Sequence, residues 1–331
     1  MKVVQFMRKP TGGYSIERVF DDIGTSMPED IDVEVYVNPY ASKGFLPRVA
    51  GLLRASLNQG DVNHIVGDVH FLNILMRKRA TVLTIHDCVT LERLTGFRYW
   101  ILWFFWYWLP AKRSTVITVI SGSTKKELER HLGPGDWAIK VIPCPVSEGF
   151  TCSPKEIERD YPRILQVGTT ANKNIERVAG ALQGMPCKLV IIGELATSQL
   201  VALESNGIDY ENHVGIPKES VVDEYRKSDI VMFVSIYEGF GLPILEAQAV
   251  GRPVITSNLY SMPEVGGKGA YYVDPYDISS IREAVESLLQ SRSLRVQLIN
   301  DGFENVCKYQ ASNVAERYAE LYRQVYEKCY Q

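Results

Sequence analysis

The chain has 331 residues, enough for about two domains of ordinary size. With 46% hydrophobic and 23% charged residues it has the balance of a folded globular protein, which excludes disordered and fibrous classes. A net charge of -3 and a pI near 6.0 exclude whole-chain electrostatic affinity for nucleic acid, and no nucleic-acid partner is expected.

The opening MKVVQFMRKPTGG has one short apolar run followed by charge, which predicts a buried strand and not a signal peptide. Gly12-Gly13 then precede a helix beginning near Ser15. A strand–Gly-Gly–helix turn lets a phosphate or substrate approach the backbone, and a plain tight turn reads equally well. Further β-branched runs follow at Val33–Val37, Val62–Val66, Val82–Ile85, Val116–Ile120 and Val141–Ile142, with an amphipathic stretch at Thr124–His131. Asp30-Ile31-Asp32 has the spacing of a metal-binding Asp-x-Asp, but it precedes a strand where such motifs end one. His86-Asp87 closes the strand TVLTIHD, placing an imidazole at a sheet edge, where a satisfied structural histidine is the ordinary alternative.

Nine of the twelve residues in Phe97–Trp108 (FRYWILWFFWYW) are aromatic, and Arg98, Lys112 and Arg113 bracket them. Tryptophan and tyrosine beside cations favour a membrane interface, while the run is too short to cross a bilayer. A buried helix or a subunit contact explains the same composition. No stretch of about 20 apolar residues occurs. Cys88, Cys144, Cys152, Cys187, Cys307 and Cys329 form no framework and no zinc-like spacing with the histidines, which reads as reduced thiols in a cytoplasmic protein with no metal site.

Periodicity breaks at Pro145–Pro162, the predicted seam, and a second series of strands follows: Ile164–Val167, Leu189–Ile192, Ile230–Val234, Val254–Ile255 and Tyr271–Val273. Helical patterns at Ile175–Leu182 and Ile281–Leu289 alternate with them, and 311–331 reads as one helix. Continuous apolar strands separated by helices predict parallel sheets covered on both faces. The expected fold is α/β: two Rossmann-like, doubly wound domains, 1–150 and 151–310, facing across a cleft. The last helix, 311–331, is free to cross back to the N-terminal domain.

The richest segment is IVMFVSIYEGFGLPILEAQAVGRPVITSN (230–258). A strand runs into Glu238-Gly239-Phe240-Gly241, and a helix starts at Leu242-Pro243, where proline lacks only an N–H that would be orphaned anyway. Open backbone N–H groups and a helix N-terminus make a diphosphate seat. Glu238 and Glu246 flank that seat. Carboxylates beside an anion site make electrostatic sense when they accept hydrogen bonds from neutral sugar and ribose hydroxyls; a helix cap plus a solvated glutamate is the bland alternative.

EGFGLPILEA, with its Glu-x7-Glu spacing, resembles the signature of the retaining, nucleotide-sugar-dependent glycosyltransferases of family four (glycosyl transferases group 1), which have the GT-B fold. ILQVGTTANKNIERVAGAL (164–182), CKLVIIGE (187–194), HVGIPKESVVDEYRKSDIVMFVS (213–235) and SMPEVGGKGAYYVDPYD (261–277) match in the family's order. TVLTIHD, VITVISGSTKKEL and KVIPCPV match more loosely in the N-terminal half.

The resemblance implies that Glu238 accepts from donor-sugar hydroxyls beside the backbone of Gly239, Phe240, Gly241 and Leu242. It further implies that Glu246 holds the ribose, Lys173 contacts the departing diphosphate, and His86 faces the donor sugar. Gly12, Gly13 and Gly168 complete the donor-binding set. The sequence departs from the family at Thr169, where many members carry arginine after the glycine; phosphate neutralisation is then expected to rely on Lys173, with Thr169 donating one neutral hydrogen bond. The implied activity is hexosyl transfer with retention, from a nucleotide-diphosphate sugar to a saccharide or polyprenyl-linked acceptor in glycan or polysaccharide synthesis. The similarity leans toward mannose from GDP-mannose, and no cofactor or metal is expected. The alternatives are a UDP-sugar-dependent transferase of the same fold and a non-catalytic sugar-nucleotide-binding subunit. A nicotinamide enzyme would need GxGxxG after a strand, and there is none.

Overall fold

The computed structural model describes residues 1–9, 15–40 and 44–330. The chain divides into two compact units, Met1–Pro145 with Ala311–Gln331, and Val146–Gln310. Unit one contains strands β1 (Lys2–Met7), β2 (Asp32–Val37), β3 (Val62–Ile65), β4 (Thr81–Ile85), β5 (Val116–Val119) and β6 (Ile139–Val141). Unit two contains β7 (Arg163–Val167), β8 (Lys188–Ile192), β9 (Tyr210–His213), β10 (Ile230–Phe233), β11 (Val254–Ser257) and β12 (Tyr271–Val273).

Every strand pairing is parallel. The sheets run β2-β1-β3-β4-β5-β6 and β12-β11-β10-β7-β8-β9. Parallel neighbours need crossover connections, and helices between successive strands supply most of them. Strands β3, β4, β5, β10 and β11 are buried at every position, the burial that layers on both faces impose. Each unit is therefore a doubly wound Rossmann-like α/β domain. In unit two the order reverses between β7 and β10, and the crevice outside the carboxyl ends of such a pair is where open α/β sheets bind ligands.

The C-terminal helix Ala311–Tyr330 belongs to unit one although unit two precedes it in the chain. Its Tyr318 and Tyr322 are fully buried against Phe20 and His64. Tyr322 Oη lies 2.7 Å from His64 Nδ1, His64 Nε2 lies 2.6 Å from Thr84 Oγ1, and Arg323 pairs with Asp30 at 2.8 Å. Burial, with a smaller contribution from His86, pushes the His64 pKa down to about 3.

The aromatic segment differs from the interface expectation in which side it shows. It forms helix Gly96–Leu102, one π-helical stretch Trp103–Trp108 and helix Leu109–Lys112. Trp103, Trp106 and Trp108 turn inward onto the unit-one core with Tyr99 and Leu102, and Tyr107 is buried. Trp103 Nε1 donates to the His131 carbonyl at 2.7 Å, and the Arg48 guanidinium lies 4.6 Å over the Trp106 ring. What remains outside is a stripe of Phe97, Trp100, Ile101 and Phe105, 78%, 59%, 42% and 44% exposed. Among the described residues no helix is long and apolar enough to cross a membrane, no group of His, Cys, Asp and Glu assembles as a metal site, and all six cysteines are free.

Candidate active site

The site of unit two is built where β7 and β10 end side by side. Beyond β7 the chain turns at Gly168, whose φ of +86° suits glycine, and whose N–H donates to Ile192 at 2.8 Å. A Cβ there would sit 2.8 Å from Lys173 Cε, so the missing side chain is the space the lysine stem occupies. A short 3-10 turn, Ala171–Lys173, follows, and Asn174 at φ +62° opens helix Ile175–Leu182. The Asn174 amide holds that junction by donating to the carbonyls of Val234 (3.2 Å) and Pro275 (2.7 Å).

Asn172 staples this loop to the one after β10. It accepts from the Ile236 N–H at 2.8 Å through its carbonyl, and its side-chain amide donates to the Tyr237 carbonyl (2.9 Å) and to Glu238 Oε1 (3.0 Å). Lys173 Nζ donates to the same Glu238 Oε1 at 2.6 Å and lies 4.3 Å over the Phe233 ring. Both charged side chains are 15% exposed. Ser261 Oγ lies 2.9 and 2.7 Å from the carbonyls of Glu238 and Phe240, sharing one proton between them and fixing the turn.

The turn leaves Gly241 at φ +113° and enters helix Leu242–Val250, which has Pro243 in its first turn and no side-chain cap. An uncapped N-terminus with a pre-set proline is a seat for anionic oxygen. Glu246 is one turn further along, half-buried, and its Oε2 accepts from Tyr225 Oη at 2.6 Å. Thr169 is half-buried; its carbonyl accepts from Gln199 Nε2 at 2.8 Å and its side chain packs over Gly193.

Of the sequence-predicted residues, the structure thus gathers Gly168, Thr169, Lys173, Glu238, Gly239, Phe240, Gly241, Leu242 and Glu246 on the two adjoining loops and the helix they lead into. His86 stands in unit one, nearly buried, its Nε2 2.8 Å from the Val66 carbonyl and its ring edge-on to Phe20. Gly12 and Gly13 lie outside the described residues. Sequence reasoning missed Asn172, Ser261 and Tyr225. All three lie inside the family-like motifs; for Asn172 and Ser261 a polar side chain beside a Gly-rich turn was the available signal, whereas a tyrosine in an amphipathic helix, as at Tyr225, reads as core.

The two doubly wound units have the fold of the GT-B glycosyltransferases. The family model for glycosyl transferases group 1 matches residues 153–305, and the model for glycosyltransferase family 4 matches 20–149. Residues 153–305 thus belong to the glycosyl transferases group 1 family, and residues 20–149 to glycosyltransferase family 4. It is 41% identical over 80 residues to an O-antigen chain mannosyltransferase B of Escherichia coli, covering 24% of this chain and 21% of that protein. The stretches matching the mannosyltransferase relatives span about a fifth of those proteins' own length. The solved sucrose-phosphate synthase of Thermosynechococcus elongatus superposes with a TM-score of 0.79 at 15% identity, covering 99% of this chain and 100% of that one. The Anabaena Alr3699/HepE structure in complex with UDP gives 0.78 at 14% identity, covering 98% and 100%.

Proposed function

We propose that the chain transfers a hexose, with mannose from GDP-mannose the leading candidate, to a saccharide or polyprenyl-linked acceptor in glycan synthesis, with retention at the anomeric carbon. The observation that carries this reading is the Lys173–Glu238–Asn172 cluster beside an uncapped helix N-terminus at the topological switch point. A cation next to an anion seat suits a leaving diphosphate, and a carboxylate next to that cation suits sugar hydroxyls. On donor binding Lys173 exchanges Glu238 for the diphosphate, and Glu238 accepts from the sugar. The bond from C1 to the phosphate oxygen breaks and the bond from C1 to the acceptor oxygen forms on the same face. The acceptor proton passes to the departing phosphate. Catalysis is then positioning and stabilisation of the leaving group, with no bound metal required.

The E. coli relative's name supports mannose, and the HepE complex keeps a UDP-sugar donor as the alternative. A non-catalytic sugar-nucleotide-binding subunit is the remaining rival. The test is incubation of purified protein with GDP-mannose, UDP-glucose and UDP-N-acetylglucosamine. Nucleoside diphosphate release and the anomeric proton coupling of the product are measured. Release from none of them, with tight binding of one, makes the chain a binding subunit; an inverted product removes the retaining mechanism.

We further place the protein in the cytoplasm, peripheral to an anionic membrane that carries the acceptor. The exposed stripe Phe97, Trp100, Ile101 and Phe105, with Arg98 on the same helix, supports this.

A further inference from the structure

Glu246 does not stand alone on its helix. Tyr225, on helix Lys218–Lys227, is fully buried, and its hydroxyl donates to Glu246 Oε2 at 2.6 Å. The phenol ring is itself fixed, edge-on to Phe150 with centroids 5.2 Å apart and planes at 86°. Burial, and then the neighbouring Glu246 charge, hold the tyrosine pKa well above its ordinary value, so the group stays protonated and remains a donor.

A glutamate at a binding edge has three rotatable bonds and would ordinarily sample several rotamers. A short hydrogen bond from a group that cannot itself move removes that freedom before any ligand arrives. It also fills a lone-pair position on one carboxylate oxygen, which biases where a ribose hydroxyl can donate. We propose that Tyr225 is a positioning residue for nucleotide recognition: it holds the Glu246 carboxylate in the orientation that accepts hydrogen bonds from the ribose 2′- and 3′-hydroxyls of the donor. This rests on the reading of Glu246 as the ribose-binding residue. It assigns the helix Lys218–Lys227 a part in donor selection although Tyr225 touches no donor atom.

The experiment is Tyr225→Phe in the full chain, which keeps the ring against Phe150 and removes only the hydroxyl. Dissociation constants of wild type and variant are measured by calorimetry for GDP and 2′,3′-dideoxy-GDP, or for the UDP pair if UDP binds more tightly. The expected result is a roughly three- to tenfold loss for the ribonucleotide and the same affinity of both proteins for the dideoxy analogue. In turnover the donor KM rises by a larger factor than kcat falls. An equal loss on both nucleotides, or no loss on either, overturns the proposal. Glu246→Ala is the reference that separates the two layers of argument. If it abolishes the preference for ribonucleotide over dideoxynucleotide while Tyr225→Phe leaves that preference intact, the positioning role fails and the ribose assignment stands. If Glu246→Ala leaves the preference intact, the ribose assignment itself fails.

Discussion

Removing Glu238 should tighten the binding of a nucleoside diphosphate while slowing transfer. The reason lies in the pair it makes with Lys173. At 2.6 Å and an effective dielectric near 20, the gross attraction between the two charges is about 6 kcal/mol. Desolvation cancels most of that, and a hydrogen bond between charged groups nets about 1.5–3 kcal/mol. Exposure of 15% on each side places this pair at the lower end of that range. A diphosphate that recruits Lys173 must first give up this contact. Without a sugar to occupy Glu238, the Asn172 amide that still donates to its carboxylate offsets only part of that loss. In Glu238→Ala the cost vanishes, and about 1.4 kcal/mol corresponds to a tenfold lower dissociation constant for GDP or UDP, measured by calorimetry. Transfer nevertheless falls, because the sugar loses its acceptor group. Lys173→Ala acts oppositely on binding, weakening the nucleotide and lowering kcat by roughly a hundredfold, as for loss of one preorganised donor. Weaker nucleotide binding in Glu238→Ala would refute the partner exchange, and wild-type kcat in Lys173→Ala would refute the leaving-group role.

Transfer activity should survive excess EDTA; abolition by EDTA with rescue by manganese would favour a metal-dependent mechanism. Phe97→Ser with Trp100→Ser and Phe105→Ser should lower co-sedimentation with anionic liposomes and leave nucleotide affinity unchanged, since these side chains are exposed and belong to unit one; equal pelleting of variant and wild type refutes the membrane surface. Trp103→Ser should instead destabilise the fold, because it strands the His131 carbonyl and opens the core, and an unchanged melting temperature would contradict the inward packing. His64 is held neutral with a pKa of about 3, whereas the unfolded chain takes up a proton near 6.5, so its contribution is fully present above 6.5 and is lost as pH falls toward 3. Between pH 7.5 and 5 that loss is about 2 kcal/mol, and denaturant titrations should show a shallower pH slope in His64→Gln; matching slopes would remove the assignment.

The strands that could be read from sequence are those buried on both faces, where an unbroken apolar run has no other use. Ile230–Phe233 and Thr81–Ile85 are of this kind. Tyr210–His213 gave no such signal: Tyr-Glu-Asn-His is polar because β9 lies at a sheet edge with its residues partly exposed, and only its pairing to β8 makes it a strand. The catalytic candidates were legible one at a time and not as a unit. Lys173 and Glu238 are 65 positions apart, and their contact exists because the chain returns β10 to the flank of β7, a tertiary fact. The aromatic segment is ambiguous in composition because one stretch serves both surfaces: Trp103, Trp106 and Trp108 pack on the core while Phe97, Trp100, Ile101 and Phe105 stay outside.

The placement of Ala311–Gln331 in unit one has a consequence for how the protein is made. Most of unit one emerges from the ribosome before unit two, but the helix that covers Phe20 and His64 emerges after it. Unit two, 146–310, is contiguous and can close as it appears. At about 5–20 residues per second, the first-made domain waits on the order of ten to thirty seconds for its final layer. During that interval the apolar face destined for Val314, Tyr318, Leu321 and Val325 stays open to solvent and to other chains. The order of completion is therefore the reverse of the order of synthesis. Unit one is the unit whose core stays incomplete longer. Removing the helix Ala311–Tyr330 would uncover side chains near its opposite end in sequence, Phe20 and His64, while unit two keeps all of its strands.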